Sequence, residues 1–297
     1  MPFVPDLLVG HREQREQLAL DLERKNVAHA YLFAGPPHVG KFTIAKWFAQ
    51  ELLQSGEGAE RRVHIRAELD RLLHPDLFVL DKLWIEDLCE DWGVIAKSSN
   101  ISQEHRMKAG AKSNRISIDD VRILQERLHE THVGSYRCCL IRSIERMEDP
   151  PANALLKILE EPPSGVVFLL TTESLSSILP TLVSRSRIIR FTPLSSAEMQ
   201  PILEGISTEE RNFFLHVAQG APGLVKRLRD DPDALRRERL FHAQAAAFWR
   251  TKTLLERLKI LSVLSESEGE AHSLVLHLAL TLREAETLNP AHEHALR

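Results

Sequence analysis

Cysteine is scarce in this chain: three residues in 297, Cys89, Cys138 and Cys139, form no disulfide framework and no C-x-x-C pair. Two of them are adjacent inside an apolar run, and all are expected as reduced core residues. Long apolar runs are missing too, since none approaches the roughly 18 residues that cross a bilayer. The opening residues, MPFVPDLLVGHREQREQ, lack the basic start, apolar centre and small-residue cleavage site of a signal peptide. A cytoplasmic chain with no membrane segment is the expectation. Positive charge is not in excess either: 38 basic against 42 acidic residues leave a net charge of −4. That balance argues against a surface that wraps nucleic acid by itself, so DNA, if involved, would be reached through partners. Fourteen histidines show neither H-E-x-x-H nor a cysteine-paired spacing, and no metal site is expected. His74-Pro75-Asp76 reads as a turn, and His292-Glu293-His294 as a solvated tail. There is no G-x-S-x-G elbow and no nucleophilic cysteine motif.

What is present is an ordinary globular composition, 27% charged and 43% hydrophobic with 13 glycines, enough for two or three compact units. Residues 13–24 place Leu18 and Leu22 among charges, as an exposed amphipathic helix does. Residues 30–34 (AYLFA) form a short apolar run closed by Gly35, Pro36 and Pro37, which predicts a buried strand entering a loop. From about Gly40 a helix is expected, with Ile44, Trp47, Phe48 and Leu52 on one face. Further apolar runs at 77–80, 138–141, 166–171 and 188–191 alternate with helical patterns at 118–130 and 152–161. Such alternation implies right-handed crossovers and an α/β parallel sheet covered on both faces. After Ser195 no strand-like stretch follows: 198–203, 209–218 and 223–228 are helical, 230–233 is a break, and 234–286 reads as about three more helices. The expected units are 1–193, 194–231 and 232–297. Residues 82–115 look like a mobile insertion, and 289–297 are expected to fray.

The stretch GPPHVGKFT, residues 35–43, stands where a strand hands over to a helix and nearly satisfies the phosphate-loop pattern. Glycines there let backbone N–H groups cradle phosphate oxygens, and the lysine reaches the outer phosphates. Gly35, Gly40 and Lys41 are in place. The residue after the lysine, whose hydroxyl should hold magnesium, is Phe42, and the hydroxyl comes one residue late at Thr43. The same stretch would also serve as a glycine-rich turn without a ligand. A working site further needs an acidic pair at the end of a neighbouring strand. The run 138–141 ends instead in Arg142-Ser143, with Glu145 the nearest carboxylate in the following loop. Hydrolysis at this site therefore looks disabled. Arg185, within Ser184-Arg185-Ser186, is placed on a turn between a helix and the fifth strand. It could project into a neighbour's phosphate site, or serve as a surface ion-pair residue.

In combination, HAYLFAGPPHVGKFT, HPDLFVL, ISIDDVRILQERL, ANALLKILEEPP and LPTLVSRS resemble bacterial clamp-loader subunits in order and spacing, and among these the delta-prime subunits of DNA polymerase III. The resemblance covers about residues 9–228. It implies an AAA+ P-loop domain over 1–193, a small helical lid over 194–231 and a shortened helical collar over 232–297. It also implies a hetero-oligomer with gamma or tau and delta subunits, which uses ATP to place a sliding clamp on primed DNA within a DNA-directed DNA polymerase. Its Ser-Arg-Cys motif maps onto Ser184, Arg185 and Ser186, which makes Arg185 an arginine finger acting in trans on the neighbouring ATPase. Thr172 falls at the polar sensor position, and Gly223 at the lid arginine of motor subunits. The changes at Phe42, Arg142 and Ser143 point to an inactive stator that requires no cofactor and takes ATP weakly or not at all. Many relatives hold zinc through four cysteines, but residues 54–73 contain none, and no zinc is expected. Two alternatives stand beside this reading. One is an active ATPase in which Thr43 and Glu145 or Glu148 replace the missing groups; the other is a degenerate AAA+ adaptor outside the loader.

Overall fold

The computed structural model describes residues 8–70, 74–80, 115–130, 133–251, 253–262 and 268–288. Cys89, the tail at 289–297 and all of the 82–115 stretch except Arg115 lie outside the described residues. The chain divides into two compact units, Met1–Pro193 and Leu194–Arg297.

The first unit is built on five parallel strands, β1 (Ala30–Ala34), β2 (Leu77–Leu80), β3 (Arg137–Ile141), β4 (Val166–Thr172) and β5 (Arg187–Arg190), in the order β2-β3-β4-β1-β5. Strand alternation sorts the side chains onto two faces. Ala30, Leu32, Cys139 and Phe168 face a core shared with α4 (Ile118–Leu128) and α5 (Asp149–Glu160). Tyr31, Phe33, Cys138 and Leu169 face a second core under α1 (Arg12–Glu23), α2 (Lys41–Leu53) and α3 (Ala59–Asp70). Cys138 and Cys139 therefore point to opposite sides of the sheet, both fully buried, and burial pushes both thiols up. A short helix, α6 (Pro180–Ser184), leads into β5.

The elements depart from the sequence pattern at identifiable points. Helix α3 was not legible, because its apolar face is only Ile65 and Leu69 while Val63 is exposed. Helix α5 starts at Asp149, three positions before the expected Ala152, since Pro150 and Pro151 fit a first turn that needs no N–H donors. The family segments have local physical reasons. In ISIDD, Asp120 N–H donates to Ser117 Oγ at 3.2 Å and Ser117 N–H to Asp120 Oδ2 at 2.7 Å, a reciprocal cap on α4. In His74-Pro75-Asp76, the buried Asp76 carboxylate accepts from the N–H groups of Val133 and Gly134 and pairs with the Arg137 guanidinium at 3.4 Å. Arg137 in turn donates to the carbonyls of Arg127, Leu128 and Glu130, so one ion pair closes the loop ahead of β3.

The second unit is helical: α7 (Ser196–Met199), continued by a 3-10 turn at Gln200–Leu203, then α8 (Thr208–Ala218), α9 (Pro222–Asp230), α10 (Pro232–Arg250), α11 (Leu254–Leu261) and α12 (Glu268–Leu288). The break between α9 and α10 is the single residue Asp231, narrower than the expected 230–233. Its carboxylate caps α10 by accepting from Ala234 and Asp233 N–H, and those bonds hold it below the usual carboxylate range. Helices α10 and α12 pack side by side, tied by His277 Nε2 to Glu238 at 2.7 Å and by Trp249 Nε1 donating to the Leu278 carbonyl at 3.1 Å. Among the described residues no helix is long and apolar enough to cross a membrane.

Candidate functional site

Two features of the first unit carry the candidate chemistry. The loop between β1 and α2 is wedged against β5: a Cβ at Gly35 would collide with the Phe191 carbonyl, and Gly35 N–H donates to the Thr172 carbonyl at 3.2 Å. Gly40, at φ 108°, occupies backbone space that favours glycine and gives the turn into α2. His11, which the sequence reading did not single out, supports the loop from below. Its Nε2 donates to the Val39 carbonyl at 2.6 Å and its ring stands edge-on to Phe191.

Lys41, the first residue of α2, is buried, and its Nζ donates to the carbonyls of Gly35 and Pro36, each at 2.6 Å. The ammonium thus bonds the loop's own backbone. Burial lowers its pKa and Arg142 adds to that effect, while the carboxylates of Glu173 and Glu145 oppose it. Those two acidic residues also line a polar cavity of about 580 Å³ with Arg115, Arg146, Met147 and Glu148. Glu173 was missed in the sequence, although it directly follows Thr172 at the end of β4.

The two positions that depart from an active phosphate loop meet in space. The Arg142 guanidinium, at the end of β3, lies over the Phe42 ring on α2, 5.0 Å from its centre. This arrangement does not fit a magnesium ion: an aromatic ring replaces the oxygen ligand and a cation replaces the anion that would orient the metal's water. Thr43 is exposed on α2. Ser143, at φ 56°, donates its N–H to Thr171 Oγ1 at 3.0 Å. Thr172 is buried, and its hydroxyl is engaged in a local turn, donating to the Ser174 carbonyl at 3.0 Å and accepting from Ser174 N–H at 3.3 Å. Among the described residues no group of three His, Cys, Asp or Glu side chains is arranged to hold a metal ion.

The second feature is the turn after α6. Arg185 caps that helix, and its Nη2 pairs with Glu160 Oε1 at 2.9 Å while Nη1 donates to the Thr181 carbonyl at 3.3 Å. Ser184 Oγ donates to the same carbonyl at 3.0 Å and Ser186 Oγ to that of Leu182 at 2.9 Å. A serine at position 186 thus ties the turn to the preceding helix. Gly223 lies near the start of α9 in the other unit.

Residues 10–195 match the family described as DNA polymerase III, delta subunit. A delta' subunit of DNA polymerase III from Pseudomonas aeruginosa is 34% identical over 166 residues, 54% of this chain and 42% of that protein. A gamma/tau subunit from Mycobacterium bovis is 27% identical over 204 residues, 68% of this chain and 31% of that protein. The chain therefore spans less than half the length of either relative. A gamma subunit-related protein of Thermotoga maritima aligns with a TM-score of 0.49 at 18% identity, over 89% of this chain and 82% of that one. With the family match covering more than half of its residues, the chain belongs to the DNA polymerase III delta-subunit family of AAA+ clamp-loader proteins.

Proposed function

We propose that this chain is the delta-prime-type stator of a bacterial clamp loader: it does not hydrolyse ATP itself and supplies Arg185 to the ATP site of a neighbouring gamma or tau subunit. The observation that carries the reading is the Arg142–Phe42 stack, which fills with a ring and a cation the two positions where an active site needs a hydroxyl and an acid. Lys41, already bonded to the Gly35 and Pro36 carbonyls, supports the same reading. Nucleotide entering this loop would have to displace those contacts without gaining a metal in return, so the chain takes ATP weakly or not at all and requires neither a cofactor nor zinc. Arg185 stands outside this loop, on a half-exposed turn. A guanidinium at such an edge can meet the developing charge on a transferred phosphoryl group, an interaction worth about 10³ to 10⁵ in rate in NTPases that use it.

In this proposal the partners are gamma or tau and delta subunits in a cytoplasmic hetero-oligomer, with the sliding clamp and primed DNA reached through the complex. Residues 194–231 act as the helical lid, and the described helices from Pro232 onward belong to the collar. An active ATPase using Glu145 draws on one observation, that the charge of this carboxylate acts on the Lys41 ammonium and raises its pKa. It leaves the Arg142 cation at the place of the metal. The test is ATP turnover by the reconstituted loader with clamp and primed DNA. Arg185→Ala is expected to collapse turnover and Lys41→Ala to leave it near the wild-type rate; the reverse pattern overturns the stator reading.

A further inference from the structure

Arg185 is held by a residue on a separate support. Glu160 is the last residue of α5, a helix anchored by the buried Leu155 and Leu159, and the helix ends immediately after it at Glu161 and Pro162-Pro163. The arginine sits on the turn after α6, fixed by buried Leu182. The contact between Glu160 Oε1 and Arg185 Nη2, at 2.9 Å, therefore joins the end of α5 to the turn after α6, two elements anchored in the same core.

The position is not explained by the helix. Glu160 and Glu161 put two carboxylates at the negative end of the α5 dipole, an unfavourable arrangement that a nearby guanidinium offsets. Nor is it explained by stability of the fold, since both side chains are substantially exposed, at 36% and 51%, and such pairs contribute little. A role in orientation uses what is left. The guanidinium has five N–H donors in a rigid fork. Glu160 and the Thr181 carbonyl engage one nitrogen each, and the fork still has donors for a phosphate oxygen. A long side chain held in one rotamer before the encounter has less freedom to lose when it engages.

We propose that Glu160 is the positioning residue of the Arg185 finger, holding the guanidinium on the turn in the orientation that presents its remaining N–H groups to ATP bound by the neighbouring subunit. The proposal rests on the reading of Arg185 as a finger, and the experiment separates the two. ATP turnover would be measured on the loader reconstituted from its cognate subunits with clamp and primed DNA. Glu160→Ala is expected to lower kcat about fivefold with KM for ATP unchanged, the size of effect an exposed ion pair can supply. Glu160→Asp should restore part of that loss. On an Arg185→Ala background, Glu160→Ala should have no further effect. If Arg185→Ala is damaging while Glu160→Ala leaves kcat unchanged or raises it, the positioning role is overturned and the finger stands. Equal losses from Glu160→Ala with and without Arg185 would make the glutamate merely structural and overturn the proposal as well. A silent Arg185→Ala removes the finger itself and this assignment with it.

Discussion

The guanidinium carbon of Arg142 lies 5.0 Å from the centre of the Phe42 ring, joining the first turn of α2 to the end of β3. The two residues are complementary to each other and jointly unsuited to magnesium, so either reversal alone leaves a mismatch. Phe42→Ser returns a hydroxyl beside a cation; Arg142→Asp returns an acid beside a ring. The double variant Phe42→Ser/Arg142→Asp is expected to acquire magnesium-dependent ATP binding, tighter than wild type by about tenfold or more, the effect of one or two restored charge-assisted contacts. Isothermal titration with and without magnesium reads this out. Wild-type protein that already binds Mg-ATP as tightly as the double variant would sink the idea.

Asp76 and Arg137 form an ion pair open to mutational damage, because both side chains are almost wholly buried. Asp76→Ala leaves the guanidinium without its carboxylate and strands the N–H groups of Val133 and Gly134. A loss of about 3 to 5 kcal/mol in urea unfolding is expected. Asp76→Asn keeps an acceptor oxygen and should lie between wild type and alanine. Stability of Asp76→Ala within about 1 kcal/mol of wild type would contradict this account of the His-Pro-Asp turn.

His74 gives the fold a pH dependence of definite sign. Burial lowers its pKa from the ordinary 6.5, outweighing the nearby Glu68 and Asp76 carboxylates, and its Nδ1 accepts the Asp76 N–H at 3.1 Å. Protonating Nδ1 destroys that bond. Because the folded pKa lies below the unfolded one, the unfolded chain binds more protons in the window between them. This contribution to stability is present above about pH 6.5 and is lost as pH falls toward the folded value. His74→Asn retains an acceptor without titrating, and its stability should change less between pH 7 and pH 5.5 than that of wild type. Parallel denaturation curves for the two proteins across that range would refute the assignment.

Much of the first unit is legible in the sequence because its strands are continuously apolar runs bounded by turn residues, as at 30–34 and 77–80, where expected and observed limits coincide. Helix α3 escaped because two buried residues in a charged segment give too little periodicity, and the start of α5 escaped because the apolar pattern begins only at Ala152, after the two prolines that fit the first turn. Of the site, the residue types at 35–43 and the missing acids at 142–143 could be read directly. Their meeting could not: a cation lying on a ring is a relation between α2 and β3 that only the folded sheet creates. The same holds for Glu160, which the sequence offers as part of EEPP and the fold places on Arg185.

Arg185 should matter to an assembly and not to the isolated chain. Its side chain is 36% exposed, its carboxylate partner 51%, and its second contact is a carbonyl at 3.3 Å on the preceding helix. Ser184 and Ser186 tie the turn through their own hydroxyls, so the backbone keeps its course when the guanidinium is removed. Arg185→Ala is therefore expected to change unfolding stability by no more than about 0.5 kcal/mol, the usual range for surface substitutions, and to leave the circular dichroism spectrum unchanged. Thermal and urea unfolding of the purified chain, with Asp76→Ala alongside as a destabilised reference, measures this. A shift comparable to that of the reference would make Arg185 a structural residue, and any loss of loader activity in Arg185→Ala would then report a damaged fold rather than a missing cation at a neighbour's phosphate.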